Sequence, residues 1–80
     1  MAINCVQILD AQGVNLWDTA EYLLLAEESI AGKQDAEWEL RWATLRKRGG
    51  HDCVNAIYKN KLEDKISSDL VLQYIASKEE

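Results

Sequence analysis

Proline and phenylalanine are absent from these 80 residues; histidine and methionine occur once each, cysteine twice and glycine four times. Each shortage excludes something. Without proline, nothing obliges a helix to break through a missing N–H and a ring clash. Cys5 and Cys53 lie 48 positions apart with no C-x-x-C pair, which is neither a disulfide framework nor a zinc pattern, so both read as reduced and mostly buried. No stretch approaches the 18 or so apolar residues of a membrane span, and residues 1 to 16 lack the basic start and apolar run of a signal peptide. A soluble cytoplasmic protein without membrane association is expected. The phosphate-loop, dinucleotide-fingerprint, zinc-protease and EF-hand patterns are all missing, so no cofactor is expected. A metal held by Cys5, His51 and Cys53 would need a fourth ligand, and none is expected either.

What remains is a chain with 48% hydrophobic residues, three Trp and three Tyr, far from the composition of disordered segments. Its length allows one small domain that buries only somewhat more than roughly 60% of its unfolded surface, near the limit of what one core stabilises. The net charge of −5 argues against a general nucleic-acid binder. The charge is also divided along the chain. Residues 1 to 40 carry eight acids and one base, Lys33, whereas residues 41 to 61 carry six bases and one acid, Asp52.

The glycines, Gly13, Gly32, Gly49 and Gly50, each follow a stretch of helical apolar spacing, where a helix end favours positive φ. They divide the chain into an all-α compact bundle of four to five short helices in a single domain, 1 to 80. Asn4 caps a first helix over 5 to 12 with Cys5, Ile8 and Leu9 on one side; an N-terminal strand through Ile3, Cys5 and Val14 is the alternative. Asp18 and Glu21 have the spacing of a capping box, with Trp17 and Tyr22 as a hydrophobic staple, so a second helix starts at Asp18 and turns Tyr22, Leu23, Ala26 and Ile30 inward. Asp35 caps a third, whose Trp38, Trp42 and Leu45 fall on one face and whose acidic start and basic end suit the helix macrodipole. Asp52 caps a fourth, leaving His51 in the loop and turning Cys53, Val54, Ile57, Tyr58, Leu62 and Ile66 inward. Ser67 or Ser68 caps a fifth, with Leu70, Val71, Tyr74 and Ile75 inward.

Candidate chemistry is sparse. His51, Asp52 and Cys53 supply the residue types of a thiol nucleophile site, but chain neighbours point in different directions and cannot form a nucleophile–base pair. Cys53 reads as a small core residue. The consecutive acids Glu27-Glu28, Glu63-Asp64 and Glu79-Glu80 diverge on a helix and read as solvated faces. The last two helices have the outline of a helix-turn-helix, yet the second offers one Lys against three acids, a poor set for reading DNA.

The stretch Asn60 to Ile75, "NKLEDKISSDLVLQYI", resembles the C-terminal part of the haemolysin-expression-modulating Hha family, through Asn60, Lys61, Leu62, Asp64, Lys65, Ile66 and Ser68. That resemblance implies a small helical protein that attaches to a nucleoid-associated silencer. It covers under a quarter of the chain, Val71 or Leu72 stands where the family has an aromatic, and no functional residue is carried over.

Surfaces are left to do the work. Leu24, Leu25, Leu40 and Leu72 lie off the main stripes, and Trp and Tyr are the residues interfaces favour. The expected function is a non-catalytic protein-interaction module, an adaptor, inhibitor or regulatory subunit of the kind phages and mobile elements encode. It would bind another protein or a second copy of itself as a homodimer. Its partner-binding residues are an apolar patch around Trp17, Leu24, Leu25 and Trp42 and a basic one of Arg41, Arg46, Lys47 and Arg48. The alternative is a nucleic-acid-associated transcriptional regulator using residues 41 to 61.

Overall fold

The computed structural model describes residues 5–49 and 51–78. They form α1 (Cys5–Ala11), α2 (Leu16–Ile30), α3 (Ala36–Lys47), α4 (His51–Lys59) and α5 (Ser68–Lys78), with no strand among the described residues. The all-α expectation holds with five helices, and the segment from Cys5 is helical and not extended. The proposed cap at Asn4 lies outside the described residues.

Local chemistry sets most boundaries. Asn15, not Asp18, caps α2: its side-chain oxygen accepts the Asp18 N–H at 3.1 Å, and Thr19 Oγ1 donates to the Asn15 carbonyl at 2.8 Å. The helix therefore starts three residues earlier than the capping-box spacing implied, because Asn15 and Asp18 satisfy the same spacing and Asp18 is buried in a different contact. Asp35 caps α3 as expected, accepting the Trp38 N–H at 2.9 Å. His51 is the first residue of α4 and Asp52 lies inside its first turn, donating its own N–H to the Gly49 carbonyl. Ser67 precedes α5 and its Oγ accepts weakly from Leu70 N at 3.4 Å. Glu27 of α2 adds a cap from outside, accepting both the N–H and the hydroxyl of Ser68 at 3.0 Å.

Gly13, Gly32 and Gly49 all take positive φ at helix ends. Gly32 shows why: its N–H reaches Ser29 O and Lys33 N–H reaches Glu28 O at 2.8 Å, the paired bonds that need a left-handed residue between them. α4 ends in the same way without a glycine. Lys61 holds φ at +56°, with its N–H on Tyr58 O and Leu62 N–H on Ile57 O. The fourth helix thus stops at Lys59, and Leu62 and Ile66 enter the core from the connecting loop.

α2 is the central element, packing against α5, α3 and α4, while α1 closes over α4 and α5. α5 runs antiparallel to α2, since its start meets Glu27 while Ile75 and Lys78 share a cleft with Leu16 and Trp17. The main core cluster is Val6, Leu9, Ala20, Leu23, Ala56, Ile57, Leu62, Ile66, Val71 and Ile75, with Leu25, Leu45 and Cys53 also buried. Three residues expected inside are not there. Ile30 is 88% exposed because α2 outruns the point where α5 begins; Tyr58 and Leu70 are also exposed, near the end of α4 and in the first turn of α5. Polar ties join helix ends: Gln12 and Asn60 exchange two 3.0 Å bonds, and Tyr74 OH and Lys78 Nζ both donate to Asp10 Oδ2, at 2.8 and 2.7 Å.

Lys61 occupies a conformation that costs a side-chain-bearing residue roughly 1–2 kcal/mol. Replacing it with glycine relieves that strain but frees the unfolded chain, so Lys61→Gly is expected to stabilise the fold by up to about 1 kcal/mol in urea denaturation. The hydrogen bonds from Lys78 and then Tyr74 hold the Asp10 carboxyl below its ordinary 3.8. A lowered folded pKa contributes stability above the unfolded value and loses it as pH falls through the folded one. Asp10→Asn should therefore be less stable than the parent at neutral pH, with the difference closing under acid; a difference independent of pH would show the carboxylate charge to be irrelevant.

Candidate functional site

The third helix has one substantial helical neighbour among the described residues, α2. Its inward face follows the spacing read from the sequence. Trp38 and Trp42 stack with ring centroids 6.3 Å apart, Trp42 meets Tyr22 at 5.9 Å, and Leu45 is buried at 1% exposure. The Trp38 indole N–H donates to the backbone carbonyl of Leu25 at 2.8 Å, which fixes one end of α3 to the middle of α2.

Toward the other end a groove lies between the two helices. Trp17 and Glu21 of α2 form one wall; Leu40, Arg41, Thr44 and Arg48 of α3 form the other, with Leu45 and Asp18 between them. Its volume is about 400 Å³. Trp17 and Glu21 are four residues apart and share a helix face, as do Leu40 and Thr44. Trp17 is 58% exposed and Leu40 68%. Large apolar side chains thus stand on both walls of one groove.

Two ion-pair systems cross it. Arg41 donates from Nε to Glu21 at 2.9 Å and from Nη1 to Glu28 at 2.9 Å, so one guanidinium holds two carboxylates. Arg48 Nη2 lies 2.7 Å from Asp18 Oδ1. That oxygen is shielded from solvent and has no aligned hydrogen-bond donor, so the guanidinium is what meets its charge.

The residues read as partner-binding separate in the fold. Trp17 and Leu24 lie on the open surface, seven positions apart on α2. Trp42 is half-buried between Trp38 and Tyr22. Leu25 is 1% exposed, a core residue and not part of any surface patch. The basic patch is likewise not one surface: Arg41 and Arg48 are engaged by α2 carboxylates, Arg46 lies over the Trp42 ring at 5.9 Å, and Lys47 is exposed. The groove is also lined by Leu40, Thr44, Leu45, Glu21 and Asp18, which are not among the expected partner-binding residues. Leu40 carried a usable signal, since it projects opposite Trp38 and Trp42 at 100° per residue.

A second, narrower cleft of about 190 Å³ lies beyond the Asp18–Arg48 pair, lined by Asn15, Asp52 and Cys53 among others. Burial first, and then the charge of Asp18, push the Cys53 thiol above its ordinary 9.0. A nucleophilic thiol needs the opposite shift. His51 is exposed at the start of α4. Among the described residues no group of three or more His, Cys, Asp or Glu side chains is placed to hold a metal ion, and no helix is long and apolar enough to cross a membrane.

Removing the Arg48 charge strands a carboxylate that is only 10% exposed, whereas Arg48 itself is 56% exposed. Arg48→Met is expected to cost about 1–3 kcal/mol in urea denaturation, and adding Asp18→Asn should recover part of that loss. Additive losses for Arg48→Met and Asp18→Asn, measured singly and together, would mean the pair is not coupled. Comparison with family models, with curated proteins and with solved structures finds no match.

Proposed function

We propose that this protein is a small non-catalytic interaction module that binds another polypeptide through the groove between α2 and α3. The observation that carries this reading is the exposure of Trp17 and Leu40 on opposite walls of the groove, at 58% and 68%. Indole and leucine side chains held in water on a small domain are anchors in search of cover. Burying a large apolar side chain is worth about 1.5–3 kcal/mol, so two such anchors supply much of a micromolar affinity. The ion pairs at the groove's edge are already satisfied within the chain and would orient a partner more than attract it.

The same pairs weaken the nucleic-acid alternative. Arg41 and Arg48, two of the six bases in residues 41 to 61, face carboxylates at 2.7 to 2.9 Å, and a phosphate would have to displace them. The two free thiols fit a reducing, cytoplasmic setting for an adaptor or regulatory subunit.

A photo-crosslinking amino acid at position 40 tests the reading in extract of the source cell, with position 33, an exposed site outside the groove, as reference. Expected are protein adducts of discrete mass from position 40 and not from position 33, lost when Trp17→Ala is added. Adducts with a foreign protein and adducts with a second copy both support the groove. Absence of any adduct, or equal labelling from both positions, would overturn it.

A further inference from the structure

The outer face of α3 carries a pattern that selects among possible occupants. Opposite Trp38, Trp42 and Leu45, the helix presents Ala36, Leu40, Thr44 and Lys47, all exposed. Its first turn holds Glu37 and Glu39, its last Arg46 and Lys47. Glu37, Glu39 and Lys47 form no ion pair within the described residues, and Arg46 rests on an indole face. Glu39 and Arg46 are seven positions apart and so lie on one flank of the helix, about 10 Å from each other along its axis.

We infer that the occupant of this face is a second copy of this chain, bound through α3 antiparallel to α3 across a two-fold axis beside Leu40–Ala43. This deepens the interaction-module reading and rests on it. A two-fold contact must be self-complementary, since each residue pairing occurs twice. In the antiparallel arrangement Glu39 stands beside the partner's Arg46 and Arg46 beside the partner's Glu39, while Glu37 approaches the partner's Lys47. A parallel arrangement sets acid against acid and base against base. A foreign helix of uniform charge, acidic or basic, meets like charge at one end of α3. A copy of α3 run backwards matches both ends. Leu40 of each copy lies beside the other's groove, where Trp17 and Leu40 are the exposed apolar side chains.

Sedimentation equilibrium at low salt and about 100 µM chain, where micromolar association is largely complete, tests this. The expected mass is twice 9.1 kDa. Glu39→Arg and Arg46→Glu should each weaken the dimer at least tenfold, because each places like charges together twice. An equimolar mixture of the two variants should dimerise again, as should the chain carrying both changes. Leu40→Glu should give a monomer. All three side chains are exposed, so the circular dichroism of each variant should match the parent. A monomeric parent chain at this concentration overturns the inference, as does a dimer indifferent to all three substitutions. A monomer whose position 40 still crosslinks to a foreign protein would sink this inference and leave the groove reading standing; no adduct of either kind would sink both.

Discussion

Arg41 reaches from the middle of α3 to Glu21 and Glu28, two carboxylates seven positions apart on α2, and holds both at 2.9 Å. Trp38 bonds to the Leu25 carbonyl on one side of it, and Arg48 to Asp18 on the other. Trp38 near the start of α3 meets Leu25, Arg48 past its end meets Asp18, and Arg41 between them spans Glu21 and Glu28, which fixes the antiparallel register of the pair. No other helix among the described residues offers α3 substantial support, so this ladder decides where the helix lies. Each contact is modest: a partly exposed ion pair contributes at most about 1 kcal/mol, and an indole N–H bond about the same. Their common register is what makes them effective, since a slip of one residue would break them together and leave Asp18 buried without a counter-charge.

The rest of the domain follows a similar logic of tying ends. Helices of 7 to 15 residues are too short to persist alone in water. Their main core cluster is ten buried aliphatic residues, and several helix ends are additionally fastened by a polar group from a distant part of the chain. Glu27 clasps the start of α5, Asp10 gathers Tyr74 and Lys78 near its end, and Gln12 and Asn60 join the ends of α1 and α4. These links act where hydrophobic contact thins out, and they explain how so small a core keeps five helices in register.

Local chemistry was legible in the sequence wherever it was decided locally. The glycine ends, the Asp35 cap and the Trp38–Trp42–Leu45 face all depend on residues within one or two turns, and all were readable. The errors came where distant residues intervened. The Asp18–Glu21 spacing suggested a cap because nothing local reveals that Arg48, 30 positions later, takes the Asp18 carboxylate. The positive run from Arg41 to Arg48 looked like one surface because its counter-charges lie on another helix. Leu25 looked spare because α2 is central and buries more than one stripe. Lys61 was missed for the opposite reason: a left-handed helix end was assigned to glycine, and there a lysine accepts it so that Leu62 can enter the core. Of the groove, Trp17, Arg41 and Arg48 are legible as binding residues and Leu40 only as spare apolar surface.

The third helix shows how the fold and the proposed interaction depend on the same residues. A helix that packs on one neighbour ordinarily separates an apolar face from a polar one. α3 carries Trp38, Trp42 and Leu45 on the side that meets α2 and still leaves Leu40 on the other side in water. Rolling α3 to seat Leu40 against α2 would uncover Trp38, Trp42 and Leu45 for the sake of one leucine, so burial already opposes the turn. Arg41 and Arg48 oppose it as well, because turning α3 would pull both guanidinium groups away from Asp18, Glu21 and Glu28. Burial and the ion pairs thus together hold Leu40 outward, beside Trp17. An interaction surface built in this way is rigid before any partner arrives, and little ordering entropy would oppose its being covered.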